Sequence, residues 1–114
     1  MAPRLFTIAS HYHTQKNVVV AASLIPNGLI SKFFMAKPET VRAELRKSTF
    51  TDAMKWKKVI FMAAGTGLAP FRGYLQEKQR LIEAKKEAPM VTLFFGCKHL
   101  TGDYIYKEEI SQWH

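Results

Sequence analysis

The stretch Lys57–Lys78, "KKVIFMAAGTGLAPFRGYLQEK", decides the fold of this chain. Its apolar run Lys58–Ala64 predicts a fully buried strand, and Pro70 favours the first turn of a helix. Gly65 and Gly67 stand between these two elements. Such a turn leaves room for a ligand to approach the backbone, so this stretch indicates a possible binding site.

The sequence that follows completes an alternating pattern. The helix from Pro70 extends to about Lys86. Met90–Gly96 predicts a second buried strand, and Tyr106–Trp113 predicts a final helix. Strand, turn, helix, strand and helix in this order are typical of an α/β fold with a parallel sheet and a right-handed crossover. Ligands of such sheets bind beyond the carboxyl ends of the strands, so we expect the glycine turn to lie beside Gly96–Lys98.

The glycine turn alone is a weak signal for function. Gly65 and Gly67 carry no side chain that would block a phosphate, and a helix beginning near Pro70 directs free N–H groups at the turn. A tight connection that binds no ligand fits the same residues.

The amino-terminal half predicts strands and one short helix. Leu5–Ala9 and the β-branched Asn17–Leu24 predict strands. Leu29–Ala36 predicts a helix that Pro38 ends. Val41–Lys47 alternates apolar and charged residues, which is the pattern of a half-buried strand.

Composition excludes several classes of protein. The 114 residues suit one small domain or part of one, and 47% hydrophobic residues exclude a disordered chain. No apolar run approaches the roughly 20 residues of a transmembrane helix. Cys97 is the single cysteine, and the four histidines lack the spacing of a metal site. We expect an intracellular protein, cytoplasmic or mitochondrial; the acid-free start "MAPRLFTIAS" also suits a mitochondrial presequence.

The charge indicates the kind of partner. A formal net charge of +8 favours phosphates, nucleic acid or an acidic protein face. The chain lacks the interleaved aromatic and basic residues of an RNA-binding motif. A module that binds RNA or a lipid surface is therefore the least favoured of three interpretations.

Several motifs together resemble one family. "AGTGLAPFRGYLQEK" and "LFFGCKHLTGDYIYKEEI" resemble the NADP-binding half of the ferredoxin-NADP reductase family, most closely the diflavin reductases that pass electrons to haemoproteins or sulfite reductase. "PRLFTIAS" resembles the Arg-x-Tyr-Ser flavin motif of that family, and "NGLISKFF" resembles its Gly-x-x-Ser/Thr segment. "VRAELRKSTF" resembles the strand that links the two lobes. These motifs stand in family order and cover nearly the whole chain.

The resemblance implies a fold, an activity and two cofactors. The fold is α/β, the end of an antiparallel flavin-binding barrel joined to a partial parallel Rossmann-like sheet. Residues 1–50 form a partial FAD-binding lobe and residues 51–114 a partial NADP-binding lobe. The implied activity is electron transfer from NADPH through FAD to an acceptor, and the implied partners include an electron-acceptor protein.

On the flavin side, the resemblance implies that Arg4 pairs with the FAD pyrophosphate and that Phe6 stacks on the isoalloxazine ring. Thr7 is placed with its hydroxyl near flavin N5. The alternative interpretations are that Arg4 is a solvated surface charge and that Phe6 is a core residue. The resemblance implies further donors to the pyrophosphate at the start of the next helix, from Gly28, Leu29, Ile30 and Ser31. For Ser31 the alternative interpretation is a helix cap.

On the nucleotide side, the resemblance implies contacts to NADP(H) from the glycine turn and from the end of the second strand. Cys97 is placed near the nicotinamide ring, where hydride passes to the flavin, and a buried small hydrophobe is its rival interpretation. Thr7 and Cys97 are thus the predicted catalytic residues. The predicted nucleotide contacts are Gly65, Thr66, Gly67, Pro70, Cys97 and Lys98.

The chain also departs from the family pattern. Family members place several strands before the flavin motif and further cofactor contacts after the segment that resembles Ile110–His114, and Phe6 replaces the usual tyrosine. We therefore expect that another protein chain completes the fold or covers exposed strand edges, and that the chain alone is inactive. A degenerate reductase-like subunit with a structural role in a larger assembly is the alternative.

Overall fold

The computed structural model describes residues 2–48 and 53–114. Two single turns of 3-10 helix, Ala53–Lys55 and Gly65–Leu68, accompany the regular elements. The helices and strands are α1 (Leu29–Met35), β1 (Lys58–Ala64), α2 (Ala69–Glu83), β2 (Met90–Gly96) and α3 (Lys107–Gln112).

The second half has the predicted topology. β1 and β2 pair in parallel from Lys58 opposite Met90 to Ala64 opposite Gly96, and α2 connects them. Both strands have the predicted bounds. α2 ends at Glu83, short of the predicted Lys86, because the chain turns back there.

The end of α2 shows why the helix stops early. Lys85 has a left-handed backbone with φ of 55°. Its N–H donates to Ile82 O at 2.9 Å, and the N–H of Lys86 donates to Leu81 O at 2.8 Å. These two bonds satisfy carbonyls of the last helical turn, which is a common way to end a helix.

The core lies between α2 and one face of the sheet. The rings of Phe61 and Phe71 stack at 4.2 Å, and Tyr74 meets Phe61 edge-on at 4.7 Å. The Tyr74 hydroxyl donates to Ala53 O at 3.1 Å, and burial raises the pKa of that hydroxyl. Leu68, in the turn before α2, is fully buried beside these rings.

The prediction of fully buried strands is wrong. Alternate residues of both strands face away from α2, and Met62 is 74% exposed while Phe94 beside it is 60% exposed. Within residues 2–48 and 53–114, nothing covers this second face of the sheet. An apolar run therefore showed that a strand forms here, but it did not show how many of its faces are covered.

The first half is much less regular than predicted. The two segments predicted as strands meet in a single antiparallel bridge between Ile8 and Val20, supported by a 2.7 Å bond from Ala9 N to Val19 O. Val41–Lys47 is exposed and forms no strand in the described part of the chain. Among residues 2–48 and 53–114, no strand lies beside it with which this alternating pattern could pair. The short helix α1 is confirmed.

Two further expectations meet the structure differently. The predicted lobe boundary at residues 50 and 51 lies outside the described residues. Among the residues that are described, no helix has the length and apolar character needed to cross a membrane.

Candidate functional site

A cleft of about 460 Å³ lies between the amino-terminal segment and the glycine turn. It brings together residues of both predicted cofactor motifs. From the flavin side come Arg4, Phe6, Thr7 and Ile30, and from the nucleotide side come Thr66 and Gly67. The remaining lining residues are Leu5, Ala21, Ala22, Ser23 and Ala69.

The flavin-side wall is held by aromatic packing on α1. Phe6 meets Phe34 edge-on, with ring centroids 5.8 Å apart, and Phe34 in turn packs against Phe33 at 5.6 Å. Phe6 remains partly exposed at the cleft. A flat apolar ring held at one edge in this way can stack against a planar ligand.

The nucleotide-side wall consists of Thr66, Gly67 and Ala69, whereas the predicted contacts Gly65 and Pro70 stand beside them in the chain and do not line the cleft. Gly65 has a φ of 54°, the left-handed region that glycine adopts without strain. A Cβ atom built on Gly67 would meet no atom within 4 Å, so open space lies before this backbone. Pro70 occupies the first turn of α2, and no side chain of the described residues caps the start of that helix. The N–H of Ala69 donates to Thr66 O, and Pro70 has no N–H, so these first two positions of α2 present no free donor and the helix favours an anion here through its dipole.

The charge of the cleft matches the same class of ligand. Arg4 is the one charged residue among its described lining residues, and no carboxylate stands among them. An exposed arginine and the first residue of a helix, Ala69, in the same cleft suit a phosphate or pyrophosphate group.

Some predicted residues lie away from the cleft lining. Gly28, Leu29 and Ser31 belong to the start of α1, and the Ser31 hydroxyl accepts a 2.9 Å bond from Ile25 N. Ser31 is buried there, and it is not a helix cap, since Gly28 occupies the cap position. The predicted contacts of these three residues with FAD remain predictions.

Cys97 and Lys98 follow the end of β2. Gly96 pairs with Ala64, and the glycine turn contacts β2, so these segments are neighbours as predicted. Cys97 is partly buried. Neither Cys97 nor Lys98 lines the 460 Å³ cleft, and their contacts with NADP(H) also remain predictions.

The loop after β2 is closed by a residue that the sequence analysis missed. The Asp103 carboxylate accepts bonds from Lys98 N at 2.8 Å and from His99 N at 2.7 Å. These two N–H groups lower the pKa of Asp103. An aspartate after a glycine in the stretch "KHLTGD" is the signal that could have indicated this turn.

The sequence analysis gave no role to five of the residues that line the cleft, and three of these five, Ala21, Ala22 and Ser23, are consecutive in the chain. They follow the β-branched run Val18–Val20. A sudden change to small side chains within a strand-like segment can indicate a close approach of a ligand. Ordinary packing produces the same change, so the signal is weak.

Comparison with known proteins identifies relatives of this chain. A family described as "Oxidoreductase NAD-binding domain" matches residues 61–114. An NADPH-cytochrome P450 reductase of Dictyostelium discoideum is 36% identical over 126 aligned positions, which cover 97% of this chain and 19% of the relative. The corresponding reductase of Musca domestica is 34% identical over 131 aligned positions, which cover 99% of this chain and 19% of the relative. The reductase of Salmo trutta is 44% identical over 71 aligned positions, which cover 61% of this chain and 12% of the relative.

These matches confirm the resemblance predicted from the motifs. Residues 61–114 are similar to an oxidoreductase NAD-binding domain, and the chain is similar to NADPH-cytochrome P450 reductases along most of its length. It spans less than a fifth of the length of these relatives, with 19% as the largest share.

Proposed function

We propose that this chain, a relative of the diflavin reductases, forms part of an FAD- and NADPH-binding site that passes electrons from NADPH through FAD to an acceptor. One observation carries the proposal: residues of the predicted flavin motif and of the glycine turn line the same cleft. Two redox cofactors that exchange hydride must meet in one space, and here the two sets of residues do.

On the flavin side, Arg4 binds the pyrophosphate of FAD with a charge-assisted hydrogen bond. Phe6 provides a flat apolar surface for the flavin ring, and Thr7 places a hydroxyl near N5. The start of α1, at Gly28 to Ser31, adds donors to the same pyrophosphate. We retain residues 1–50 as the proposed flavin lobe and residues 51–114 as the proposed nucleotide lobe.

On the nucleotide side, the turn Gly65–Gly67 and the start of α2 at Pro70 hold NADPH, and Cys97 and Lys98 approach it from β2. When bound, these cofactors supply the redox chemistry: a hydride leaves the nicotinamide ring for flavin N5, so that NADPH is oxidised and FAD is reduced. The chain itself contributes binding, orientation and charge. By analogy with the relatives, a haemoprotein such as a cytochrome P450 is the first acceptor to test.

A second candidate function is structural. The exposed face of the sheet, where Met62 and Phe94 lie side by side, is apolar, and another protein chain that covers it would bury this surface. A reductase-like subunit that has lost its cofactors would retain this need for a partner. Flavin binding distinguishes the two candidates.

The test is a titration of the purified protein, in its natural complex, with FAD. The unsubstituted protein should bind FAD and show its absorbance. Arg4→Ala should weaken FAD binding by about 1.5 to 3 kcal/mol, or roughly 10- to 150-fold, because it removes a charged hydrogen-bond donor to the pyrophosphate. The exposed Lys16→Ala is the matched control and should change binding by less than about twofold.

Two outcomes would contradict the proposal. Equal losses from Arg4→Ala and Lys16→Ala would indicate nonspecific attraction to a basic protein. Absence of any FAD binding in the natural complex would favour the structural subunit.

A further inference from the structure

Arg72 is a buried cation on α2, with 6% of its surface exposed. Its Nη1 donates to Ala9 O at 2.9 Å and to Gln15 Oε1 at 3.1 Å. Its Nε and Nη2 donate to the two carboxylate oxygens of Glu109, each at 3.1 Å. One guanidinium therefore contacts the amino-terminal segment and α3 at the same time. We call this arrangement the Arg72 joint, formed by Arg72, Ala9, Gln15, Gln76 and Glu109.

Gln76, one turn further along α2, reinforces the joint. Its Nε2 donates to Gln15 Oε1 at 3.1 Å, and its Oε1 accepts a 2.9 Å bond from His11 N. Between these two side chains, Gly73 allows a close approach, since a Cβ at this position would lie 3.3 Å from the backbone C and O of Ser10. The segment from Ala9 to Gln15 is thus fastened to α2 at several points.

The α3 side of the joint is equally well defined. The Arg72 guanidinium lies over the ring of Tyr106, 4.4 Å from its centroid, while Glu109 engages it with two parallel bonds. Lysine cannot reproduce this planar two-bond geometry together with a third bond to a carbonyl. α3 follows the loop that begins at Cys97.

The joint connects the two walls of the cleft. Thr7, in the flavin-side wall, stands two residues before Ala9 in the chain, and Ala69, in the nucleotide-side wall, stands one helical turn before Arg72. A buried guanidinium is costly unless its partners satisfy it, and a directional set of bonds fixes one relative placement of the segments it joins.

We propose that Arg72 is a positioning residue for the hydride transfer proposed above. It contacts neither cofactor; it fixes the spacing of the Thr7 wall from the Gly67 wall and holds the segment that follows Cys97. Hydride transfer needs donor and acceptor within roughly 3 to 3.5 Å, and a displacement of about 1 Å can cost about 100-fold in rate. The consequence for catalysis rests on the proposed function, whereas the joint itself does not.

The test compares Arg72→Lys with the matched control Arg46→Lys, in the full chain within its natural complex. Arg46 makes an exposed pair with Glu44 at 3.4 Å, so the same substitution there leaves the joint intact. Three quantities are measured: amide hydrogen exchange of Ser10 to Val19, dissociation constants of FAD and NADP⁺, and the rate of flavin reduction by NADPH in stopped flow.

Arg72→Lys should increase exchange of these amides by about tenfold or more, because two or more hydrogen bonds are lost. Flavin reduction should slow by about 10- to 100-fold while both dissociation constants change less than about threefold. Glu109→Gln should give smaller changes of the same kind, and it replaces Arg72→Lys as the test if circular dichroism shows that the lysine variant is unfolded.

Each other outcome overturns part of the inference. Unchanged amide exchange in both variants would show that Arg72 does not hold the joint. Equal losses in binding and in the hydride step would make Arg72 a structural residue without a positioning role. If the unsubstituted protein binds neither FAD nor NADP⁺, the proposed function fails, and the exchange measurement alone decides whether the joint exists.

Discussion

The two halves of the molecule are held by different forces. The second half consists of regular elements around the packed rings of Phe61 and Phe71. In the first half, the described residues 2–48 contain α1 and one antiparallel bridge, and hydrogen bonds of Arg72 and Gln76 attach this half to α2. Apolar packing around these rings holds the regular half together, whereas hydrogen bonds to α2 place the irregular one. The halves should therefore respond to different substitutions.

The largest effect should come from the core of the second half. Phe61→Ala should lower the free energy of unfolding by about 3 to 5 kcal/mol, because it leaves a cavity beside Phe71 and Tyr74. Leu45→Ala, at a position 74% exposed in the first half, should change it by less than about 0.5 kcal/mol. Urea unfolding followed by circular dichroism measures both. Similar losses from the two variants would show that the halves do not differ in the way described.

A smaller effect should loosen the first half alone. Gly73→Ala places a methyl group 3.3 Å from the Ser10 backbone, and such overpacking costs roughly 1 to 3 kcal/mol, partly offset by the higher helix propensity of alanine. The amino-terminal segment should then detach more often while α2 remains helical. Trypsin cleavage after the exposed Lys16 should become faster.

The matched control is Gly102→Ala, whose Cβ would meet His99 Cβ at an ordinary 3.6 Å. This variant should leave cleavage after Lys16 unchanged. If Gly73→Ala and Gly102→Ala behave alike, close approach at Gly73 is not what keeps the first half on α2.

The sequence predicted the regular half well and the irregular half poorly. β1, α2 and β2 were predictable because local periodicity and the order of elements determine them. The exposure of Met62 and Phe94 was not, since an apolar run does not reveal what covers each face. For the candidate site, the cleft joins six predicted residues, and three motifs of the resembled family carry them.

The Arg72 joint could not have been predicted from this sequence. Glu109 lies 37 residues after Arg72, and Ala9 lies 63 residues before it. The periodicity of a single sequence indicates which residues share a face of one helix or strand, but it does not indicate polar partners this far apart in the chain. An arginine between Phe71 and Gly73 on an otherwise packed helix was the available signal.

The smallest effect concerns acidity. His11 Nδ1 lies 3.1 Å from a carboxylate oxygen of Glu77, yet burial lowers the pKa of His11 below its ordinary 6.5. Hydrogen bonding from Arg80 lowers the pKa of Glu77 below its ordinary 4.5. In both cases the unfolded chain binds more protons, so these contributions to stability are complete above about pH 6.5 and decrease on acidification.

Urea unfolding at about pH 7.5, 5.5 and 4 tests this expectation. His11→Gln should remove the part of the pH dependence between the first two values and retain the part attributed to Glu77. His114→Gln, at an exposed position, should retain both. A gain in stability on acidification from pH 7.5 to 5.5 that His11→Gln abolishes would contradict the assigned direction.

The attachment of the first half to α2 also has a consequence for synthesis. His11 and its partner Gln76 are 65 residues apart, so the amino-terminal segment leaves the ribosome long before its docking surface exists. At about 5 to 20 residues per second, the delay is about 3 to 13 s. During that interval the segment cannot form its hydrogen bonds with α2, because that helix has not yet been synthesised. Nascent chains arrested before and after Gln76 has left the ribosome should therefore differ in the protease resistance of the segment from Ala9 to Gln15.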